Sequence, residues 1–497
     1  FTANVITLNN DISLLTASTN NTDASAGTSN DVSVLLSGTD GMATLGKTSA
    51  YSSLIDISSS TLTTDLTIKG PAANINWSIT GAGEGKLKNE WNSDLNVEFS
   101  HAKNIFGNDN VDEFDFTSSG SITGLIDGFS GADTLDITSL SSDQAIQLGI
   151  EEVDVAHTVD FNVNRVETLN ANSSQSNTLI GQNFENAWSI DGGNDGSVTN
   201  SDLGQVDFDN FTTLIGNDDI DNFTMGDSGS ITGSINGDGG DNSLTGRTSS
   251  SEWLVNADNA GVLYSDNGNN DEGNVSGSYV NGFSNIQTIN GGGAWDRYYI
   301  TAGSIGTIKG GDNYDDVWVT GGTVGNMNLG GSNDWVELSS DTSVTGTIDA
   351  GAGTDDRVTL TYNDATYDLT KQSGVETIIA EGTGTNSLAA GNVDTTKNAW
   401  ALNDWVSSDV NFSGDNSGTF TAGANDAVGF IGFNSLVGGG GNDDFILSGS
   451  GTFNGVISGG SGGNNTLTNR DLVTVWTGDG IESNKGRVQA TGIDFTF

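Results

Sequence analysis

The chain has 497 residues, with 65 Asp and Glu against 15 Lys and Arg, 71 glycines, one proline and no cysteine. A formal charge of −50 excludes a basic groove for nucleic acid, and the lack of cysteine excludes disulfides, thiolate metal sites and a cysteine nucleophile. No apolar run approaches the ~18 residues that cross a bilayer, while ten tryptophans and twenty phenylalanines in short alternating runs read as strands, not as a solvating tail.

Phe1 stands where an initiator would, which reads as a processed or excised segment. Residues 1–76 are expected to form the first coils of a repeating β structure. Tryptophan-led segments then open at Trp77, Trp188, Trp253, Trp400 and Trp476, and several continue into a phenylalanine-led strand at Phe208, Phe283 or Phe430. These tryptophans recur at one repeat position and are expected in the core or at packed corners. Between them a shorter unit returns three times: Asp112 to Gly128, Asp221 to Gly237 and Asp443 to Gly459. Residues 77–475 are read as these long repeats and 476–497 as an incomplete one.

The stretch from Gly291 to Leu360 shows the period most clearly. Gly291-Gly292-Gly293 leads to Tyr298-Tyr299-Ile300, Gly310-Gly311 to Val317-Trp318-Val319, Gly330-Gly331 to Val336-Glu337-Leu338, and Gly351 to Val358-Thr359-Leu360. A second short strand follows each, around Ile305/Ile308, Val324/Met327 and Val344/Ile348. A unit of about 20 residues cannot bury its apolar face alone and must stack on its neighbours. The expectation is an all-β chain, one continuous right-handed parallel β-helix of about 20–22 residues per coil with little or no helix. Period-2 alternation turns Tyr298/Ile300, Val317/Val319, Val336/Leu338 and Val358/Leu360 inward. Glycine, Asn and Asp take the corners, and proline is confined to Pro71.

Over roughly residues 74–497 the chain resembles the repeat regions of very large secreted bacterial surface proteins, the filamentous-haemagglutinin-like and biofilm-matrix adhesins. Their stalks carry the same tryptophan-led strand, phenylalanine-led strand and Gly-Gly corner. The resemblance implies a non-catalytic extracellular rod at the bacterial cell surface, with polysaccharide or a cell surface as partner. Two other classes stay open. One is a subunit that polymerises head to tail into a fibre or sheath, since Phe1 and Val5 at one end and Phe495 and Phe497 at the other are in complementary repeat phase. The other is a polysaccharide-acting β-helix enzyme, although His101 and His157 sit in unrelated contexts and read as surface residues.

Two features bear on binding. Gly438-Gly439-Gly440-Gly441-Asn442-Asp443-Asp444-Phe445-Ile446 fits the calcium nonapeptide, and Gly310 with Asp315 and Asp316 is a partial match. These make Asp443, Asp444, Asp315 and Asp316 candidate Ca²⁺ ligands. The alternative is that such side chains satisfy amides at the corners, because no tandem nine-residue repeat is present. Alternation also turns Tyr299 and Trp318 outward on consecutive coils, with Trp335 two residues earlier on the next. These three are the candidate carbohydrate-binding row, unless loops or neighbouring rods cover them.

Overall fold

The computed structural model describes residues 65–89, 92–149, 159–265, 277–390, 416–422, 427–447, 453–460 and 464–469. It adds the backbone of strands at 5–8, 32–36, 40–45, 55–59, 398–402, 475–478, 486–490 and 493–496. Strand is the main regular structure of the described residues, and their one helical turn is the 3₁₀ segment Leu369–Lys371. The chain divides into two compact units, Phe1–Asn242 with Tyr279–Asn281, and Ser243–Ser278 with Gly282–Phe497.

In the second unit the expected register is present residue for residue. Tyr298 pairs with Val317, Val317 with Val336, Val336 with Val358 and Val358 with Ile378, all in parallel strands. Ile300, Val319, Leu338 and Leu360 form the companion column, and every member of both is buried. A second parallel ladder carries Leu244, Ile289, Ile308, Met327 and Ile348. Like side chains therefore lie over like, which places β-branched and aromatic groups on a pleated surface that suits them.

The first unit has two ladders of the same kind. One runs Ile75–Gly81, Asp112–Phe116, Thr134–Asp136, Thr168–Asn170 and Gly204–Asp209. The other includes Asp65–Lys69, Ala102–Asn108, Leu125–Phe129 and Phe161–Asn164.

The tryptophan-led segments correct the expectation of uniformly parallel strands. Asn186–Ile190, which carries Trp188, turns back into Gly196–Asn200, and that strand turns back into Gly204–Asp209; both pairings are antiparallel. The outer two strands join parallel neighbours, Asp221–Met225 and Thr168–Asn170. A single reversed strand is thus wedged into a parallel ladder. Ile75–Gly81, Glu84–Asn89 and Asn92–Ser100 repeat the meander, as do Asn398–Leu402, Gly418–Ala422 and Val428–Ile431 in the second unit. Alternation has the same period for either strand direction, so the reversal comes from the turns. Gly83, Asn194 and Asn259 adopt φ of +64°, +65° and +51°, the left-handed conformation that tight hairpins require.

Trp77, Trp188 and Trp253 are fully buried. Each lies flat on an aromatic ring of the parallel neighbour, Phe114, Phe223 and Tyr298 respectively. Each also meets a second ring edge-on, Phe99, Phe208 and Phe283. The side chains of Trp400 and Trp476 lie outside the described residues.

Candidate functional site

At or just before the start of several core strands one backbone amide is satisfied by a side chain and not by a strand carbonyl. In the second unit a carboxylate from the next coil supplies the acceptor. The amides of Ser251, Asp296, Asp315 and Asp334 donate to Oδ1 of Asp296, Asp315, Asp334 and Asp356, at 2.7, 2.8, 2.8 and 2.6 Å. The amide of Asp356 continues the series to Glu376 Oε2 at 2.7 Å. Successive donors and acceptors are 45, 19, 19, 22 and 20 residues apart. The short steps are single coils and the long one contains a hairpin. In the first unit the amide of Asp112 donates to Asp133 Oδ1 and that of Asp133 to Glu167 Oε2, each at 2.7 Å. Asp221 donates in the same way to Asn242 Oδ1 at 2.8 Å.

These aspartates are buried to between 0 and 2% exposure. Burial disfavours the charged form and pushes Asp315 up to about 9, Asp334 to about 8, and Asp356, Asp112, Asp133 and Asp221 to about 7. A glycine lies against the carboxyl in most of these coils. A Cβ on Gly107, Gly128, Gly216, Gly291, Gly310 or Gly438 would collide with the aspartate five positions on.

The four candidate calcium ligands occupy this framework. Asp315 accepts from the Asp296 amide, and Asp316 Oδ2 accepts from Trp295 Nε1 at 3.0 Å. Asp443 Oδ2 accepts from the Gly439 amide at 3.1 Å, and Asp444 Oδ1 from the Thr466 hydroxyl. One oxygen of each thus faces an N–H or O–H donor, while Asp315 Oδ2 and Asp316 Oδ1 are buried and accept no hydrogen bond; among the described residues no three His, Asp or Glu gather where they could hold a metal ion.

The candidate carbohydrate row is brought together, with one correction. Trp318 lies flat on Tyr299, centroids 4.7 Å apart and planes at 6°, and Trp335 meets Trp318 edge-on at 5.9 Å. Tyr299 is buried rather than exposed, at 6%, because the Trp318 ring covers it. Trp318 and Trp335 are half-buried. The sequence reading missed a second aromatic pair in the same unit. Trp295 and Tyr314 stand at one position of consecutive coils and pack edge to face at 5.7 Å. The Arg297 guanidinium lies 4.2 Å from the Trp295 ring, and Tyr314 is 38% exposed. Their spacing by one coil was the available signal. In the same unit a cavity of about 210 Å³ opens between Leu338, Val344, Tyr362 and Tyr367, with Asp341 and Lys371 also lining it.

Of the terminal residues, Phe1 and Phe497 lie outside the described residues, and for Val5 and Phe495 only the backbone is described. Val5–Leu8 pairs in parallel with Asp40–Leu45, and Ile493–Thr496 with Phe453–Ser458. His101 sits half-buried at φ +59°, and His157 lies outside the described residues. No helix among the described residues is long and apolar enough to cross a membrane. No protein-family model and no curated protein matches the chain.

Proposed function

We propose that the chain is a non-catalytic structural protein of the extracellular surface, a closed right-handed β-helix serving as the stalk of a bacterial adhesin or as a biofilm-matrix filament. The observation that carries this reading is the register of the column Tyr298, Val317, Val336, Val358 and Ile378. Repeated like-on-like stacking gives each coil the same neighbour above and below, which suits a chain whose task is to span distance. Negative-stain microscopy of the purified chain tests it. Slender unbranched particles of uniform width are expected, and isometric particles would overturn the reading. Fibres that lengthen with protein concentration would instead favour head-to-tail polymerisation.

Extracellular polysaccharide is the proposed partner, supported by two aromatic pairs on neighbouring coils, Trp295 with Tyr314 and Trp318 with Trp335. Aromatic residues of this kind present apolar faces and edges to sugar rings. Retention on immobilised glycans should fall for Tyr314→Ala and Trp318→Ala. Unchanged retention in both would remove the pairs from consideration.

A further inference from the structure

The carboxyl column of the first unit leaves one oxygen of two aspartates without a partner. Asp133 Oδ2 and Asp221 Oδ2 are buried and accept no hydrogen bond, although both residues are fully enclosed. Each oxygen shares a confined point with a second acceptor. A methyl group on Gly128 would strike both Asp133 Oδ2 and the Arg165 carbonyl oxygen, and one on Gly216 would strike both Asp221 Oδ2 and the Gly237 carbonyl oxygen. Two acceptors crowded on one point repel unless a hydrogen lies between them.

The chain itself contains the comparison that identifies that hydrogen. Asn186 is the register partner of Asp221, one parallel strand away. Its Nδ2 stands beside Gly181 as Asp221 Oδ2 stands beside Gly216, and the carbonyl of the following coil borders the same point in both cases. Asn186 Nδ2 lies 3.4 Å from that carbonyl, Gly216 O, while its nearer acceptors are Gln182 O and Phe184 O at 2.8 Å and Asp221 Oδ1 at 2.9 Å, so it is a donor throughout. Asn242, the next residue of the column, accepts from the Asp221 amide through Oδ1 and donates through Nδ2 to Gly239 O. Where the column residue is an amide, one atom accepts and the other donates. A carboxyl can match this division only when protonated.

We infer that Asp133 and Asp221 are held in the fold as neutral carboxylic acids, with the proton on Oδ2 directed at the bordering backbone carbonyl, so that the column is a lock released by alkali. The groups facing them oppose ionisation further. Asp112, Glu167 and Asp127 surround Asp133, with Arg165 engaged by Asp127 at 2.9 Å through Nε, and Asp219 and Asp238 face Asp221. Burial raises both carboxyls from 3.8 to about 7, which agrees with the geometry. Packing against glycine leaves no volume for a hydrated cation in the proton's place. Above the folded-state value a solvent base removes the proton, the two oxygens repel, and the coils part at this point.

The test uses the full chain and four variants: Asp133→Asn, Asp221→Asn, the reverse exchange Asn186→Asp, and Asp109→Asn as an exposed control. Thermal midpoints are measured from about pH 5 to about pH 9, bracketing the carboxyl values concerned. For each acid the unfolding equilibrium changes by up to about tenfold per unit of raised pKa. The wild-type midpoint should therefore fall with rising pH, and Asp133→Asn and Asp221→Asn should each flatten the fall and melt at or above wild type at the alkaline end. Asn186→Asp should steepen it, and Asp109→Asn should leave the slope unchanged. Infrared spectra near pH 6 should show a protonated-carboxyl band that shrinks in both Asp→Asn variants and not in the control. Parallel pH profiles for wild type, Asp133→Asn and Asp221→Asn, or a band indifferent to both substitutions, would overturn the inference. If the Asp→Asn variants fail to fold, an Asn186→Asp profile no steeper than wild type would overturn it alone.

Discussion

Trp188 lies flat on Phe223, with ring centroids 5.4 Å apart and planes at 17°, and its indole N–H reaches Asp221 Oδ1 at 3.2 Å. One side chain thus joins the aromatic core to the carboxyl column. Trp188→Ala removes a fully buried ring and leaves a cavity, at a cost of about 3–5 kcal/mol. Trp188→Phe keeps a ring for the stack and loses the N–H donor with part of the indole's volume, so it should cost less. Urea midpoints of the two variants give the comparison, and equal losses would mean that the N–H donor and the second ring, not the stack, carry the contribution.

Gly216→Ala should destabilise by about 1–3 kcal/mol through overpacking. Its Cβ would meet the Asp221 carboxyl and, at 2.7 Å, the Gly237 carbonyl oxygen. Gly216 is outside the left-handed region, so the effect is collision alone. A glycine facing open space, Gly293, is the control, and Gly293→Ala should leave the urea midpoint near that of the parent.

The second unit should lose stability as pH rises. Asp334 and Asp356 release their protons near 8 and 7 in the fold, and near 3.8 when unfolded. Between those values the folded state binds more protons than the unfolded state, so the slope of stability against pH is negative. For these two groups the contribution is full below about pH 4 and declines toward about pH 8, and Asp315, raised to about 9, extends the decline of the unit to about pH 9. Denaturant titrations across that interval should show a falling midpoint; a rising one would mean the carboxyls are ionised in the fold.

Calcium and magnesium at equal concentration should raise the melting midpoint equally. The 50 surplus negative charges repel one another and any divalent ion relieves this diffusely. Asp443 and Asp315 already accept from backbone amides. A shift produced by calcium alone would return the nonapeptide to consideration as a chelating loop.

The alternation of Val317/Val319 and Val336/Leu338 made the parallel ladders legible because period and repeat length agree. Burial of Trp77, Trp188 and Trp253 was legible for the same reason. Strand direction was not, since Trp188-Ser-Ile190 and Gly196-Ser-Val198 alternate alike; only the turn at Asn194 distinguishes them. The carboxyl column was half visible. Glycine five residues before Asp315 or Asp443 was seen, and it left a calcium corner and a satisfied amide both open. The amide that Asp315 accepts from, that of Asp296 in an adjacent coil, has no fixed place in the local sequence. Tyr299 pointed outward as alternation requires, and a neighbour's ring then covered it, which single-strand patterns do not record.

The reversed strands have a further consequence for protein engineering. Because each hairpin leaves the ladder and returns to it in register, the excursion can change in size while the stacked coils keep their positions. The tip between Asn200 and Gly204, where Ser201 and Asp202 are exposed and the amides of Asp202 and Leu203 bond within the turn to Asn200 Oδ1, is therefore a natural graft point, where a foreign peptide or enzyme could be displayed at a fixed address along the repeat.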